Sequence, residues 1–187
     1  YIKENPSVDK NSDGKIQYVI LEGELGHQDA IIRTESVAES MKENGVELEK
    51  LSYQTANWNR AQAQNRMTQL IGQYKNSIEL VIANNDAMAL GAMDAYEKLG
   101  ITDSNYPVFF GIDGTDEGLE AVRQSKLAAT VYNDKEGQAY AMAQLAYAVV
   151  TGYGMNNIGF ENKKYIYLPY KKVTADNVTD FIDNIQD

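Results

Sequence analysis

Short, unbroken apolar runs alternate along this chain with longer stretches whose apolar residues recur three and four positions apart. Tyr18-Val19-Ile20-Leu21, Ile78 to Ala83, Pro107 to Ile112 and Ala128 to Tyr132 are runs of the first kind. Continuous rather than alternating apolarity predicts strands buried on both faces, as in a parallel sheet. Val46 to Thr55 and Lys164 to Leu168 are further candidate strands. The intervening stretches predict helices. Residues 27–44 close at Gly45, Trp58 to Gln73 is entered through Asn57 or Asn59, and the helix capped by Asn84-Asn85-Asp86 reaches Leu99 and stops at Gly100. Others begin at Asp113-Gly114-Thr115 and at Asn133-Asp134, the latter reaching Val150, and Thr174 to Ile185 is a closing helix with Thr174 as cap. Asn, Asp and Thr at helix starts accept hydrogen bonds from free first-turn N–H groups, and glycine at helix ends takes the left-handed conformation that stops them. This strand–helix order predicts an α/β fold: a doubly wound parallel sheet in a three-layer α/β/α arrangement.

Such a topology brings together polar residues that are far apart in sequence. In an open α/β sheet the strand-to-helix junctions lie side by side at the carboxyl edge, where small ligands bind. The first junction reads Gly26-His27-Gln28-Asp29-Ala30-Ile31-Ile32-Arg33. Asp29 and Arg33 are four apart and share a helix face. An imidazole, a carboxylate and a guanidinium can there converge on a vicinal pair of hydroxyls. A solvated first turn with an Asp–Arg ion pair and a capping His accounts for the same residues. Later junctions hold Trp58, Asn85, Asp113 and Asn133. Each has an ordinary use, the polar three as helix caps and Trp58 in the core. As a set they suit a sugar, whose C–H face packs on an indole while its hydroxyls meet planar amides and carboxylates.

Composition then narrows the classes. The 187 residues can bury a sizeable core as one large domain or two small ones. No apolar run approaches the roughly 18 residues of a membrane span, and no signal-peptide pattern opens the sequence. Tyr1-Ile2-Lys3 reads as the tail of a helix begun upstream. A net charge of -10 argues against nucleic acid, which demands clustered Lys and Arg. Lys163-Lys164 and Lys171-Lys172 read as solvated flanks of an apolar strand. With no cysteine there are neither disulfides nor thiolate metal ligands. Gly-x-Gly-x-x-Gly, a phosphate-binding Gly-Lys-Ser/Thr, and a Ser or Cys with a paired base are all missing, so the expectation is not an enzyme. The enzymatic alternative is Asp29 and Asp113 as acid and base on a glycoside.

One loop carries separate chemistry. Asp9-Lys10-Asn11-Ser12-Asp13-Gly14-Lys15-Ile16-Gln17 places oxygen-bearing side chains at the first, third, fifth and ninth positions, with glycine at the sixth. That is the spacing of an EF-hand calcium loop, in which the seventh residue, here Lys15, offers its carbonyl. The twelfth position, where a bidentate glutamate belongs, is Ile20, and the following residues read as a strand. Calcium would therefore require a carboxylate from elsewhere. An ordinary Asp-Gly turn accounts for the loop otherwise.

Five motifs occur in order: Asp-x-Asn-x-Asp-Gly-x-Ile-Gln, Gly-Glu-x-Gly-His-x-Asp, Thr-Ala-x-Trp, Ile-Ala-Asn-Asn-Asp-Ala-Met-Ala and Thr-Val-x-Asn-Asp. Together they resemble the galactose/glucose-binding proteins of bacterial ABC sugar uptake and chemotaxis, which are type I periplasmic binding proteins. The resemblance runs over essentially the whole chain. It implies sugar contacts at His27, Asp29, Arg33, Trp58, Asn85, Asp113 and Asn133. It also implies a structural calcium ion held by Asp9, Asn11, Asp13, the Lys15 carbonyl, Gln17 and Glu79, and Glu79 is then the distant carboxylate that the loop lacks.

Family members have two lobes, and this chain resembles only their carboxyl-terminal part. By that resemblance, residues 1–133 form the carboxyl-terminal sugar-binding lobe, 134–170 cross to the amino-terminal lobe, and 171–187 return. The apolar face of the crossing helix, with Ala141, Leu145, Ala148 and Val149, would then lack its natural sheet and could instead bring copies of the chain together. The implied function is a solute-binding protein for D-glucose or D-galactose. Its implied partners are an ABC permease, a chemoreceptor and the missing lobe, in the periplasm or lipid-anchored outside a single membrane. The alternative is the sugar-effector core of a transcriptional repressor, which calls for a helix-turn-helix and a basic face that this sequence does not display.

Overall fold

A six-stranded sheet in the order β2-β1-β3-β4-β5-β6 organises the computed structural model, which describes residues 1–101, 106–154, 156, 158–162 and 164–182. The strands are β1 (Ile16–Glu22), β2 (Leu48–Thr55), β3 (Leu80–Ala83), β4 (Val108–Phe110), β5 (Ala129–Tyr132) and β6 (Lys171–Thr174). The first five are parallel neighbours and β6 pairs antiparallel to β5. The helices are α1 (Gln28–Glu43), α2 (Arg60–Tyr74), α3 (Asp86–Lys98), α4 (Asp116–Arg123), α5 (Lys135–Thr151) and α6 (Thr179–Ile182). In a 2-1-3-4-5 order the chain reverses its winding between β1 and β3, and the carboxyl ends of the two strands diverge there.

The apolar runs became strands because both faces are covered. Every residue of β3 is buried, and β1 is buried from Ile16 to Leu21. One face of the sheet packs with α2, α3 and α4 through Val19, Leu21, Met67, Met88, Phe109 and Leu119. The other packs under α1 through Ile20, Leu80 and Ile82, with Val37 and Met41 on top. The three-layer α/β/α arrangement expected from the sequence is thus present. The helix caps follow chemistry: Asn59, Asn85, Thr115 and Asp134 each accept a first-turn N–H with the side chain. Asp113 does not cap α4, because Thr115 does.

The carboxyl-terminal part departs from the sequence expectation. Among the described residues Lys164 to Leu168 joins no sheet, and Tyr165 makes an isolated bridge with Glu161. The last strand is instead Lys171–Thr174, where only Val173 is buried. One inward residue after two exposed lysines is an edge-strand device that no hydrophobic run reveals. Thr174 ends β6 rather than capping a helix, and its N–H donates to Asn177. The closing helix is limited to Thr179–Ile182 among the described residues, with Ile185 and Lys163 lying outside them.

On α5 only Ala148 is buried, while Tyr140, Met142, Tyr147, Val149 and Val150 are exposed. Ala141 and Leu145 share a cleft with Phe160, Ile166 and Leu168, so the following segment partly shields that side of the helix. Val149 stays open.

Helices α2 and α3 pack backbone against backbone at Gly91, where a Cβ would overlap the Arg60 carbonyl. Arg60 spans the contact, pairing with Asp94 on α3 at 2.7 Å and with Glu117 on α4 at 2.7 Å. Gly91→Ala should therefore cost about 1–3 kcal/mol by overpacking. Gly72→Ala, on the open side of α2 with nothing within 4 Å, should instead stabilise by about 0.5–1 kcal/mol. Paired thermal melts check both signs.

Candidate ligand-binding site

The sheet's carboxyl edge carries all the sugar-contact candidates. His27 is the N-cap of α1 and accepts from the Asp29 N–H at 3.2 Å, so the capping reading is correct for it. The His27 ring also meets Trp58 edge to face, with centroids 5.2 Å apart. Trp58 sits in the turn before α2 at a left-handed φ of 62°, following Asn57 at 52°. Its ring lies over Gly23 so closely that a Cβ there would overlap it. Asn85 caps α3 with its carbonyl oxygen and donates its amide to the Trp58 carbonyl at 3.3 Å. One side chain thus fixes both a helix start and the tryptophan turn.

Arg33 ties the junctions together. Its guanidinium carbon stands 5.7 Å from the Trp58 ring centroid, a cation–π arrangement. Nη1 donates to the Asn84 carbonyl at 2.8 Å and reaches Asp113 at 3.4 Å. Nη2 lies 3.7 Å from Asp29 and 3.3 Å from the Tyr170 hydroxyl. The i,i+4 pairing of Asp29 and Arg33 read from the sequence is therefore made, and a second carboxylate joins it. Burial pushes the Asp113 carboxyl above its ordinary range, while Arg33 and the Asn133 amide pull it back. The Asn133 N–H donates to the Asp113 carbonyl at 2.9 Å, and its side-chain oxygen accepts from Gln138 at 2.6 Å. A cleft of about 560 Å³ opens here, with Asp113 and Asn133 on its wall. All seven candidates thus lie along one strip: a flat aromatic face, a guanidinium, an imidazole, two amides and two carboxylates. The arrangement can stack an apolar ring face and exchange hydrogen bonds with several hydroxyls.

Two neighbours in this framework were read from the sequence only as part of a helix start. Asn84 and Asp86 are buried, Asn84 bridging Gly23 at 3.0 Å to Thr34 at 3.2 Å, and Asp86 reaching across to Thr115 and Thr130. The available signal was the run of three polar residues directly after the wholly apolar β3.

The calcium-loop candidates also meet, as a hydrogen-bonded loop. Asp9 accepts from the N–H groups of Asp13 and Gly14, and Asn11 from that of Asp13. Asp13 accepts from the Lys15 N–H at 2.8 Å and from the Asn11 and Gln17 amides at 3.0 and 2.9 Å. Glu79, at 1% exposure, turns both carboxylate oxygens toward the loop, accepting from Lys10 at 2.6 Å and Gln17 at 3.0 Å. Among the described residues no group of three or more His, Cys, Asp or Glu is gathered to hold a metal. The set is nonetheless all oxygen, which suits calcium, with amides and a carbonyl completing it.

Residues 7–154 match the periplasmic binding protein domain family. The D-galactose/methyl-galactoside binding periplasmic protein of Haemophilus influenzae is 38% identical over 183 residues, covering 96% of this chain and 54% of that protein. The xylitol-binding protein of Mycolicibacterium smegmatis is 34% identical over 139 residues, covering 74% of this chain and 39% of that protein. A solved ABC transporter solute binding protein from Bacillus halodurans, with bound myo-inositol, matches with a TM-score of 0.78 at 32% identity. That match covers 95% of this chain and 58% of the other. The chain thus spans about half the length of the first of these relatives, and all three are binding proteins rather than enzymes.

Gly23→Ala should displace the Trp58 ring, since the added methyl needs the space the indole occupies. A changed tryptophan emission spectrum in a protein that still melts cooperatively is the expected outcome.

Proposed function

The chain belongs to the family of periplasmic binding protein domains, and we propose that its polar edge is one side of a monosaccharide site in a non-catalytic receptor. The observation that carries this reading is the Trp58 ring seated over Gly23, with His27 and Arg33 against it and Asn85 and Asp113 beside them. Trp58 stacks on the C–H face of the sugar. Asp29 and Asp113 accept from hydroxyls, Arg33, Asn85 and Asn133 donate to them, and His27 serves on either side of a bond. The proposed ligand is D-galactose or D-glucose, supported by the galactoside-binding relative. A site that pairs each hydroxyl rejects analogues lacking one, because its buried polar groups are then left unpaired.

In the same proposal the protein is longer than these residues. A second lobe closes over the edge like a hinge, residues 134–170 cross into it, and 171–187 return. The exposed apolar residues of α5 support that division. The receptor would work in the periplasm, or lipid-anchored outside a single membrane, delivering sugar to an ABC permease and signalling through a chemoreceptor. Asp9, Asn11, Asp13, the Lys15 carbonyl, Gln17 and Glu79 would hold calcium, and the ion's charge would cross-link the loop to β3.

Isothermal titration of the full protein with D-galactose, D-glucose, xylitol and myo-inositol tests the ligand class. An indole face of about 80 Å² contributes on the order of 2 kcal/mol, so Trp58→Ala should weaken the best sugar at least tenfold. Unchanged affinity would remove Trp58 from the site. For calcium, saturation at about a thousand times the dissociation constant adds about 4 kcal/mol. Chelator should lower the melting temperature by several degrees, calcium should restore it, and Glu79→Gln should abolish the response.

A further inference from the structure

Asp86 is fully buried at the first turn of α3. Its carboxylate accepts from the Thr130 hydroxyl at 2.6 Å, the Thr115 N–H at 2.8 Å and the Thr115 hydroxyl at 3.3 Å. Its own N–H donates to the Ile112 carbonyl at 2.7 Å. Asp86 therefore grips the turn after β4 on both sides of Asp113. Asp113 itself stands at a φ of 120°, a backbone conformation that favours glycine. Such strain persists only where the surroundings over-determine it. Part of that constraint comes from β5, through the Asp113 N–H to Val131 and the Asn133 N–H to Asp113, each at 2.9 Å. A further part comes from Asp86, beside the Arg33 contact to the Asp113 carboxylate and the Gly114 N–H to the Thr130 hydroxyl. Two glycines make room for its carboxylate: a Cβ at Gly111 or at Gly118 would overlap its oxygens.

We propose that Asp86 is the positioning residue for Asp113, that its ionised carboxylate holds the strained turn in ligand-binding geometry, and that acid loosens this hold. The inference rests on Asp113 being a sugar contact. Ionised, the carboxylate accepts from every donor aimed at it, and such charge-assisted bonds are about twice as strong as neutral ones. A proton placed toward Thr130 reverses that bond and weakens both bonds to Thr115. Burial raises the Asp86 pKa to about 6, against the pull of its hydrogen bonds and with help from Asp113. The switch thus falls near neutral pH. The charged groups on the elements packed against Asp86 are Asp113, held by Arg33, and the first-turn acids of α4. Those acids are themselves paired, Asp116 with Lys135 and Glu117 with Arg60. β5 contributes Thr130 and, beyond it, the Tyr132 phenol.

A residue kept for stability alone would behave differently. Because the folded pKa lies above the ordinary 3.8, the native state binds this proton more tightly than the unfolded chain. Ionisation as pH rises through about 6 therefore costs stability. Asp86→Asn should melt higher than wild type at about pH 7.5, with the gap shrinking as pH falls to about 5.

The test has an arm without ligand and an arm with it, both in the full protein. Without ligand, the Asp113 and Thr115 amide resonances should titrate with a midpoint near 6 in the wild type. That step should vanish in Asp86→Asn and move to higher pH in Thr130→Val, which loses a bond favouring the ionised form. With D-galactose or D-glucose, wild-type affinity should fall about tenfold as pH drops from about 7.5 to 5, on the scale of losing charge assistance in a few hydrogen bonds. Asp86→Asn should bind at the weakened level throughout and recover part of the larger loss in Asp86→Ala, with any residual acid limb belonging to Asp113. If the amides do not titrate, or if Asp86→Asn melts lower and keeps the wild-type pH profile, the inference is wrong. If they titrate as described but no sugar binds at any pH, the inference about the turn stands and the monosaccharide reading fails.

Discussion

Parallel strands β1 and β3 part at their carboxyl ends, and one buried side chain spans the opening. The Asn84 amide accepts from Gly23 at the end of β1 and donates to Thr34 on α1, while its carbonyl accepts Arg33. A diverging pair of parallel strands leaves backbone N–H and C=O groups that neither neighbouring strand can satisfy, and buried groups of that kind cost about 1–3 kcal/mol each when unpaired. Asn84 meets that need with a geometry that also fixes where Gly23 and Arg33 lie. Gly23 sets the Trp58 ring and Arg33 sets Asp29 and Asp113. Much of the polar edge is therefore arranged by a residue that is itself buried beneath it.

The edge is assembled against stability. Trp58 and Asp113 hold positive φ angles, Asp113 and Asp86 are raised by burial, and the Arg33 guanidinium is largely withdrawn from water at 12% side-chain exposure. Each is a cost that a protein optimised only to fold would not carry. The rest of the chain offsets it conventionally, with a closely packed α2–α3 pair, matched caps, and central strands covered on both faces. The same division separates the two carboxylate systems. Around Asp86 and Asp113 the groups hold a strained turn open at the sheet edge, whereas in the Asp9–Gln17 loop they satisfy one another and Glu79 anchors the loop to β3.

Much of this was legible in the sequence. The apolar runs and the caps of α2, α3 and α5 gave the fold class, because burial on both faces and first-turn satisfaction are local demands with local signatures. The seven edge candidates were legible as a set, because the topology sends every junction to one edge. Glu79 could be paired with the loop only through a family resemblance, since nothing in its own neighbourhood distinguishes a glutamate inside an apolar strand. At the carboxyl-terminal part local reading failed. Lys164 to Leu168 has the composition of a strand and joins no sheet among the described residues, whereas Lys171–Thr174 lacks the composition and pairs with β5. Edge pairing depends on what lies alongside, and one inward valine was enough.

By itself, then, the sequence determined the strands of the central parallel sheet and the helices that follow them, the alternation that implies a doubly wound sheet, and the edge that carries the polar chemistry. It did so because hydrophobic period and capping are properties of neighbouring residues. Only the tertiary structure decided what each of the polar residues holds in place. Asn84, Asn85 and Asp86 are consecutive and equally polar, yet one bridges two strands, one presents an amide beside Trp58, and one reaches behind Asp113. Their roles differ because successive side chains leaving a strand point in different directions, and the distant groups each one meets lie 27 to 61 positions away in the chain.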